Sequence, residues 1–166
     1  MYRSIEDFIK DWDAESIGSV KIFSSITEST RNTLVHSNVR SLARLAWHLN
    51  QTISEMGKRA GLFNEDTLEH SEIPPTLGEL LETYKKYAEL LSKTVRSKWT
   101  DSSLLDKIEM YGQQWEKGKI LRVLIAHQTH HRGQMTVIMR MLGLPVAGLY
   151  GPSKEEWAEF GMSAPV

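Results

Sequence analysis

The segment IAHQTHHRGQM, residues 125–135, places three of the chain's six histidines within five positions. Neutral imidazole is a strong ligand for zinc, nickel, iron and copper, and its charge changes close to neutral pH. His127 and His131 stand four residues apart. On a helix turning about 100° per residue they lie about 40° apart on one face, with their rings one turn apart. Two imidazoles so placed can converge on one ion, which is the His-x-x-x-His spacing of many metal sites. A second reading is structural: a partly buried histidine satisfied by a carbonyl or a carboxylate. The pair alone leaves both open. Gln128 stands where a His-Glu-x-x-His metalloprotease carries its glutamate, so a protease of that type is disfavoured.

The neighbours divide by angle around the same helix. Gln134 falls about 20° from His127, close enough to hydrogen-bond a ligand or a bound water. His130 falls about 60° away, at the edge of the apolar stripe, as an outer hydrogen-bonding group or an exposed polar residue. Arg132, about 140° away, points elsewhere and reads as a packing or ion-pair residue directed at the tail. Gly133 costs about 1 kcal/mol against alanine in a helix, which implies close approach of another helix or of the tail.

A three-ligand site needs one more donor. His48, in LARLAWHLNQT, borders the apolar stripe of another helical stretch, flanked by Leu45 and Thr52. That position suits the mouth of a bundle. Glu55, two turns on, is a candidate to orient His48, although a solvated glutamate is the commoner state. His36 and His70 read as surface residues, and Trp47 as a packing residue.

Four stretches carry the three-and-four spacing of amphipathic helices. The first runs from about Ser4 to Thr30, with Ser4 as N-cap and Glu6 and Asp7 in its first turn. The second runs from about Val39 to Ala60 and stops at Gly61. The third starts at Thr76, with Glu79 three residues on in a capping-box pattern. The fourth runs from about Lys119 to Leu142 and stops at Gly143. KIEMYGQQWE (residues 107–116) reads as a connection rather than an extended pair. After the fourth helix, GLPVAGLYGPSKEEW is too rich in Gly and Pro to continue it. Ser153 is the expected cap of a short terminal helix, with the tail acting as a strap that buries Trp157 and Phe160. The expected fold is all-α: an antiparallel four-helix bundle forming one domain over residues 1–166.

Composition narrows the function. The chain has 166 residues, 40% hydrophobic and 25% charged, with a net charge of −1. A nucleic-acid binder working by bulk electrostatics carries a basic excess that is absent here. No stretch approaches the roughly 20 apolar residues of a membrane span. The N-terminal MYRSIEDFIKDWD has acids where a signal peptide has its apolar segment, so a cytoplasmic location is expected. There are no cysteines, so any metal must be held by nitrogen and oxygen, and any thiol must arrive with a substrate.

LARLAWHL, HQTHHRGQM and GLYGPSKEEW, in that order, together resemble the DinB-like family of small four-helix-bundle proteins over essentially the whole chain. The resemblance implies a metal triad of His48, His127 and His131 holding a divalent ion, often nickel or zinc in that family, with water in the remaining positions. It implies a homodimer. The family name refers to induction by DNA damage and does not imply DNA binding. Relatives of known activity include S-transferases and an isomerase that use low-molecular-weight thiols. Three functional expectations follow: a metal-dependent enzyme activating a thiol or water against a small substrate, a non-catalytic metal-binding stress protein, and a helical dimer interaction module.

Overall fold

A computed structural model of the chain describes residues 1–164; the last two residues of the expected domain lie outside these. Four helices dominate: α1 (Ile5–Ser24), α2 (Leu42–Arg59), α3 (Leu77–Lys98) and α4 (Lys117–Met141). The fold is mainly α, a four-helix bundle as expected. α1 packs against α3 and α4, and α2 packs against the same two helices. α1 and α2 therefore sit on one diagonal and α3 and α4 on the other, and α2 and α4 are direct neighbours.

Local chemistry sets the helix ends. Ser4 Oγ accepts from the Asp7 N–H at 3.3 Å, Ser41 Oγ from Arg44 N–H at 3.3 Å and Thr76 Oγ1 from Glu79 N–H at 3.2 Å. Each satisfies one of the donors that a helix N-terminus leaves unpaired. Gly61 and Gly143 both adopt left-handed backbone, φ 70°, just beyond α2 and α4, where a glycine ends a helix at no steric cost.

α1 stops at Ser24, short of the expected Thr30. The hydroxyl of Thr27 bonds those of Ser29 and Thr30 at 3.0 and 2.8 Å, and the Thr27 carbonyl accepts from the N–H groups of Thr30 and Arg31. Side-chain hydroxyls that bond locally compete with the helix ladder, and here they win. α2 starts at Leu42, three residues later than expected, because Ser41 caps it. Arg31, 5% exposed, donates to the carbonyl of Pro75 at 2.8 Å, tying the α1–α2 link to the loop before α3.

KIEMYGQQWE is not a plain connection. It forms an antiparallel hairpin of β1 (Lys107–Met110) and β2 (Gln113–Glu116), with Ile108 opposite Trp115. Tyr111 and Gly112 both have positive φ, 54° and 77°, as a two-residue type I′ turn requires. Met110 is fully buried and anchors the hairpin on the bundle.

The core is built from Phe8, Ile9, Trp12, Ile22, Leu49, Ile53, Leu80, Tyr84 and Leu91, all nearly inaccessible. Each such apolar side chain contributes about 1.5–3 kcal/mol by leaving water. Trp12 also donates its indole N–H to the Ala88 carbonyl at 3.0 Å, pinning α1 on α3.

The tail ends in a short 3₁₀ turn, Glu156–Phe160. Ser153 does not cap it: its hydroxyl has no partner. The Glu156 carboxylate instead accepts from the N–H groups of Ser153 and Gly148 at 2.9 and 2.8 Å. Phe160 is 62% exposed and Trp157 only partly covered, so the tail does not bury them as a strap would. Among the described residues, no helix is long and apolar enough to cross a membrane.

Candidate metal centre

The neighbouring helices α2 and α4 are registered by a buried polar link. Gln128 is fully buried. Its amide N–H donates to the Leu49 carbonyl of α2 at 3.2 Å, and its oxygen accepts from the Tyr84 hydroxyl of α3 at 3.1 Å. A half-satisfied amide in a core is costly, so the bundle is held where both bonds form. Leu49 adjoins His48 in the chain, and Gln128 adjoins His127. Fixing one pair of neighbours fixes the other.

The result is a cluster of three imidazoles. A ring nitrogen from each of His48, His127 and His131 lies within 4.8 Å of the others. Their ring centroids are 4.5 to 5.1 Å apart. Nε2 of His127 is 3.1 Å from Nε2 of His48. That spacing fits either an N–H···N hydrogen bond or two donors on one ion, since ligands about 2.0–2.1 Å from a tetrahedral centre lie about 3.3 Å apart. Thr52 Oγ1 lies 3.2 Å from His127 Nε2.

The electrostatics favour neutral rings. Burial, with the charges of the neighbouring rings and of Arg40 adding to it, pushes the pKa of His48 and of His127 down to about 4. Burial also lowers that of His131, against a hydrogen bond with Gln134 that acts in the opposite sense. Unprotonated imidazole is the ligating form, so the site holds its donors ready near neutral pH. No aspartate or glutamate belongs to the cluster among the described residues. Three nitrogen donors without a fourth protein ligand are the pattern of sites that keep positions open for water or substrate.

The surrounding residues fall out differently from one another. Gln134 Oε1 is 2.7 Å from Nδ1 of His131, so it accepts the Nδ1–H and leaves the Nε2 lone pair to the cluster. Its amide N–H donates toward His130 Nε2 at 3.2 Å. His130 is exposed and touches the cluster through Gln134 and an edge contact with the His131 ring. Glu55 does not hold His48. Its carboxylate pairs with Arg59 and accepts from the Tyr111 hydroxyl at 2.6 Å, because the hairpin brings that phenol to the end of α2. His36 and His70 are exposed, as expected, while Trp47 is buried and donates to the Ser71 carbonyl at 3.2 Å.

Arg132 does point away from the triad. It is 1% exposed and pairs with Glu15 of α1. It donates to Ser19 Oγ at 3.2 Å and to the Tyr150 hydroxyl of the tail at 2.7 Å. Tyr150 in turn donates to Glu15 at 2.7 Å. Gly133, by contrast, has no close neighbour: a methyl group there meets nothing within 4 Å. The expected close approach is absent.

Gln128 is the positioning residue that sequence reasoning passed over. It occupies a seven-residue row with Leu121 and Met135, both buried. A lone amide in an apolar row is a signal of a core hydrogen bond that sets register.

A sequence model of the DinB family matches residues 1–163. The chain is 36% identical over 165 residues to the uncharacterized protein YrdA of Bacillus subtilis (strain 168), covering 99% of each. Among solved structures it resembles a DinB-like protein from Bacillus cereus ATCC 10987, with a TM-score of 0.81 and 30% identity over 90% of this chain and all of that one. It also shares its fold with a DinB-like protein, YjoA, of Bacillus subtilis, with a TM-score of 0.66 and 16% identity, covering 84% of this chain and 96% of that one.

Proposed function

The chain belongs to the DinB family, and on that premise we propose that it is a metal-dependent enzyme whose divalent ion is held by His48, His127 and His131. The observation that carries this reading is the donor set itself: three imidazoles from two helices, depressed in basicity and without a closing carboxylate. The donors suit nickel or zinc, which accept imidazole readily. A divalent ion bound there supplies Lewis acidity that lowers the pKa of a water or thiol, giving a nucleophile near neutral pH.

The chain's own residues do the positioning. His48, His127 and His131 act as ligands rather than bases, since a ring nitrogen of each lies within 4.8 Å of the other two and would be taken up by the ion. Gln134 fixes the tautomer of His131. Gln128 keeps α2 against α4 so that His48 reaches the pair on α4. With no cysteine in the chain, the nucleophile comes from solvent or from a low-molecular-weight thiol. A transferase joining such a thiol to a small electrophile is the first reaction class, and hydrolysis the second. The protein works as a cytoplasmic homodimer in this reading.

The test pairs cysteine or glutathione with 1-chloro-2,4-dinitrobenzene and follows the thioether, using nickel- or zinc-loaded protein. Wild type accelerates the reaction, and folded His127→Ala does not. Equal rates in the two proteins, with metal in one only, favour the alternative of a metal-binding stress protein in which the ion merely joins α2 to α4.

A further inference from the structure

α4 exposes two large apolar side chains one turn apart. Val137 and Met141 are 60% and 62% exposed, on the helix that carries His127 and His131. They belong to the wall of a groove of about 580 Å³, which Val35, Val39, Leu45 and Ile138 also line. The volume lies in the range of small-ligand sites, about 300–1,000 Å³. His131 and Gln134 are part of the same lining, so the groove reaches the candidate metal centre on its His131 side.

Its charge is one-sided. No aspartate or glutamate lines it, and Arg40 does. Among the described residues Arg40, like Arg44, forms no ion pair, whereas Arg31, Arg59, Arg96, Arg132 and Arg140 each have a carboxylate partner. Arg40 also lies close enough to the triad for its charge to act on all three histidines. Beside it, His36 Nδ1 accepts the Asn38 N–H at 3.1 Å, which places the proton of the neutral ring on Nε2 and leaves a second donor at the rim.

We propose that this groove binds a small amphipathic carboxylic acid, with its carboxylate on Arg40 and its apolar body against Val137 and Met141, as the substrate class delivered to the centre. The guanidinium fork matches a planar carboxylate. The apolar wall excludes a wholly polar anion, and the missing acid excludes an amine. The inference rests on the metal-centre reading for its catalytic meaning, but the binding itself does not require the ion.

Equilibrium dialysis of octanoate, octan-1-ol and octylamine tests it on wild type, Arg40→Gln and Val137→Glu. Each is run metal-free and nickel-loaded, with metal content measured on the same samples. Both substitutions are at exposed positions, and circular dichroism checks the fold. The expected result is saturable octanoate binding to metal-free wild type, about tenfold tighter than octan-1-ol or octylamine. Arg40→Gln should bring octanoate to the level of octan-1-ol, and Val137→Glu should remove binding. Equal binding of the three probes overturns the proposal. So does octanoate binding that needs nickel and ignores Arg40→Gln, because the ion then holds the carboxylate. So does wild type that binds no octanoate and is a dimer which Val137→Glu separates in sedimentation, because a second copy then covers the groove. Octanoate binding to a protein that takes up no metal upholds the groove and sinks the metal centre.

Discussion

Replacing Gln134 with alanine should weaken metal binding about tenfold while leaving the fold intact. Gln134 Oε1 accepts the Nδ1–H of His131 at 2.7 Å, which fixes the ring's tautomer and direction. Loss of such an outer partner costs about 10–100-fold in affinity. Two features of the structure select the lower end. Gln134 is exposed, so water can take over the acceptor role in the variant. His131 is only 8% exposed, so its ring remains held by packing. About tenfold corresponds to about 1.4 kcal/mol. A titration of nickel or zinc against a chromophoric chelator reads the change directly, with the melting temperature as the control for folding. Gln134→Glu keeps an acceptor and adds negative charge, so its affinity should match or exceed that of wild type. An alanine variant within about threefold of wild type, or a glutamate variant as weak as the alanine one, refutes the role given to this bond.

Four further outcomes follow from the structure. Arg132→Ala removes a nearly inaccessible guanidinium and leaves the partly buried Glu15 carboxylate without its cation; it should cost about 3 kcal/mol, a fall in melting temperature of roughly 10 °C; Tyr150→Phe should cost about 1 kcal/mol by the same measurement. Gly133→Ala should raise the melting temperature by about 2–4 °C, because helix propensity gains about 1 kcal/mol and the new methyl group meets nothing; a fall would mean a neighbour that the structure does not contain. Metal-free protein should lose stability as pH drops. His48 and His127 have folded pKa values of about 4 against about 6.5 when unfolded, so the unfolded chain binds more protons between those limits. The stability is fully present above pH 6.5 and is lost as pH falls toward 4, by about 1–2 kcal/mol per ring once solvent screening of half-buried groups is allowed for. Across that window thermal melts of wild type should fall more steeply with pH than those of His48→Gln/His127→Gln; parallel curves would contradict the shift.

The sequence carried the helices well and their arrangement poorly. Ser4, Thr76, Gly61 and Gly143 were legible because caps and stops act through the nearest few residues. The end of α1 was not, since the periodic pattern runs on through Ile26 and the hydroxyl network of Thr27, Ser29 and Thr30 overrides it. The hairpin was missed because its turn uses tyrosine at positive φ, where Asn-Gly or Asp-Gly is the familiar signal. His127 and His131 share a face by helix geometry alone. That His48 meets them depends on α2 lying beside α4 rather than across from it, a tertiary fact that no local pattern encodes. Glu55 was drawn to His48 by spacing on one helix, and the structure gives it to Tyr111 of the hairpin instead. Arg132 was placed correctly because its angle on the wheel leaves it no route to the triad.

The central claim is that three histidines hold one divalent ion. Elemental analysis of untagged protein tests it most directly, on wild type and His127→Ala after incubation with nickel or zinc and removal of excess metal. One ion per wild-type chain is expected, and none in a variant that remains folded by circular dichroism. Wild type that retains no metal under these conditions, or a variant that retains as much as wild type, contradicts it.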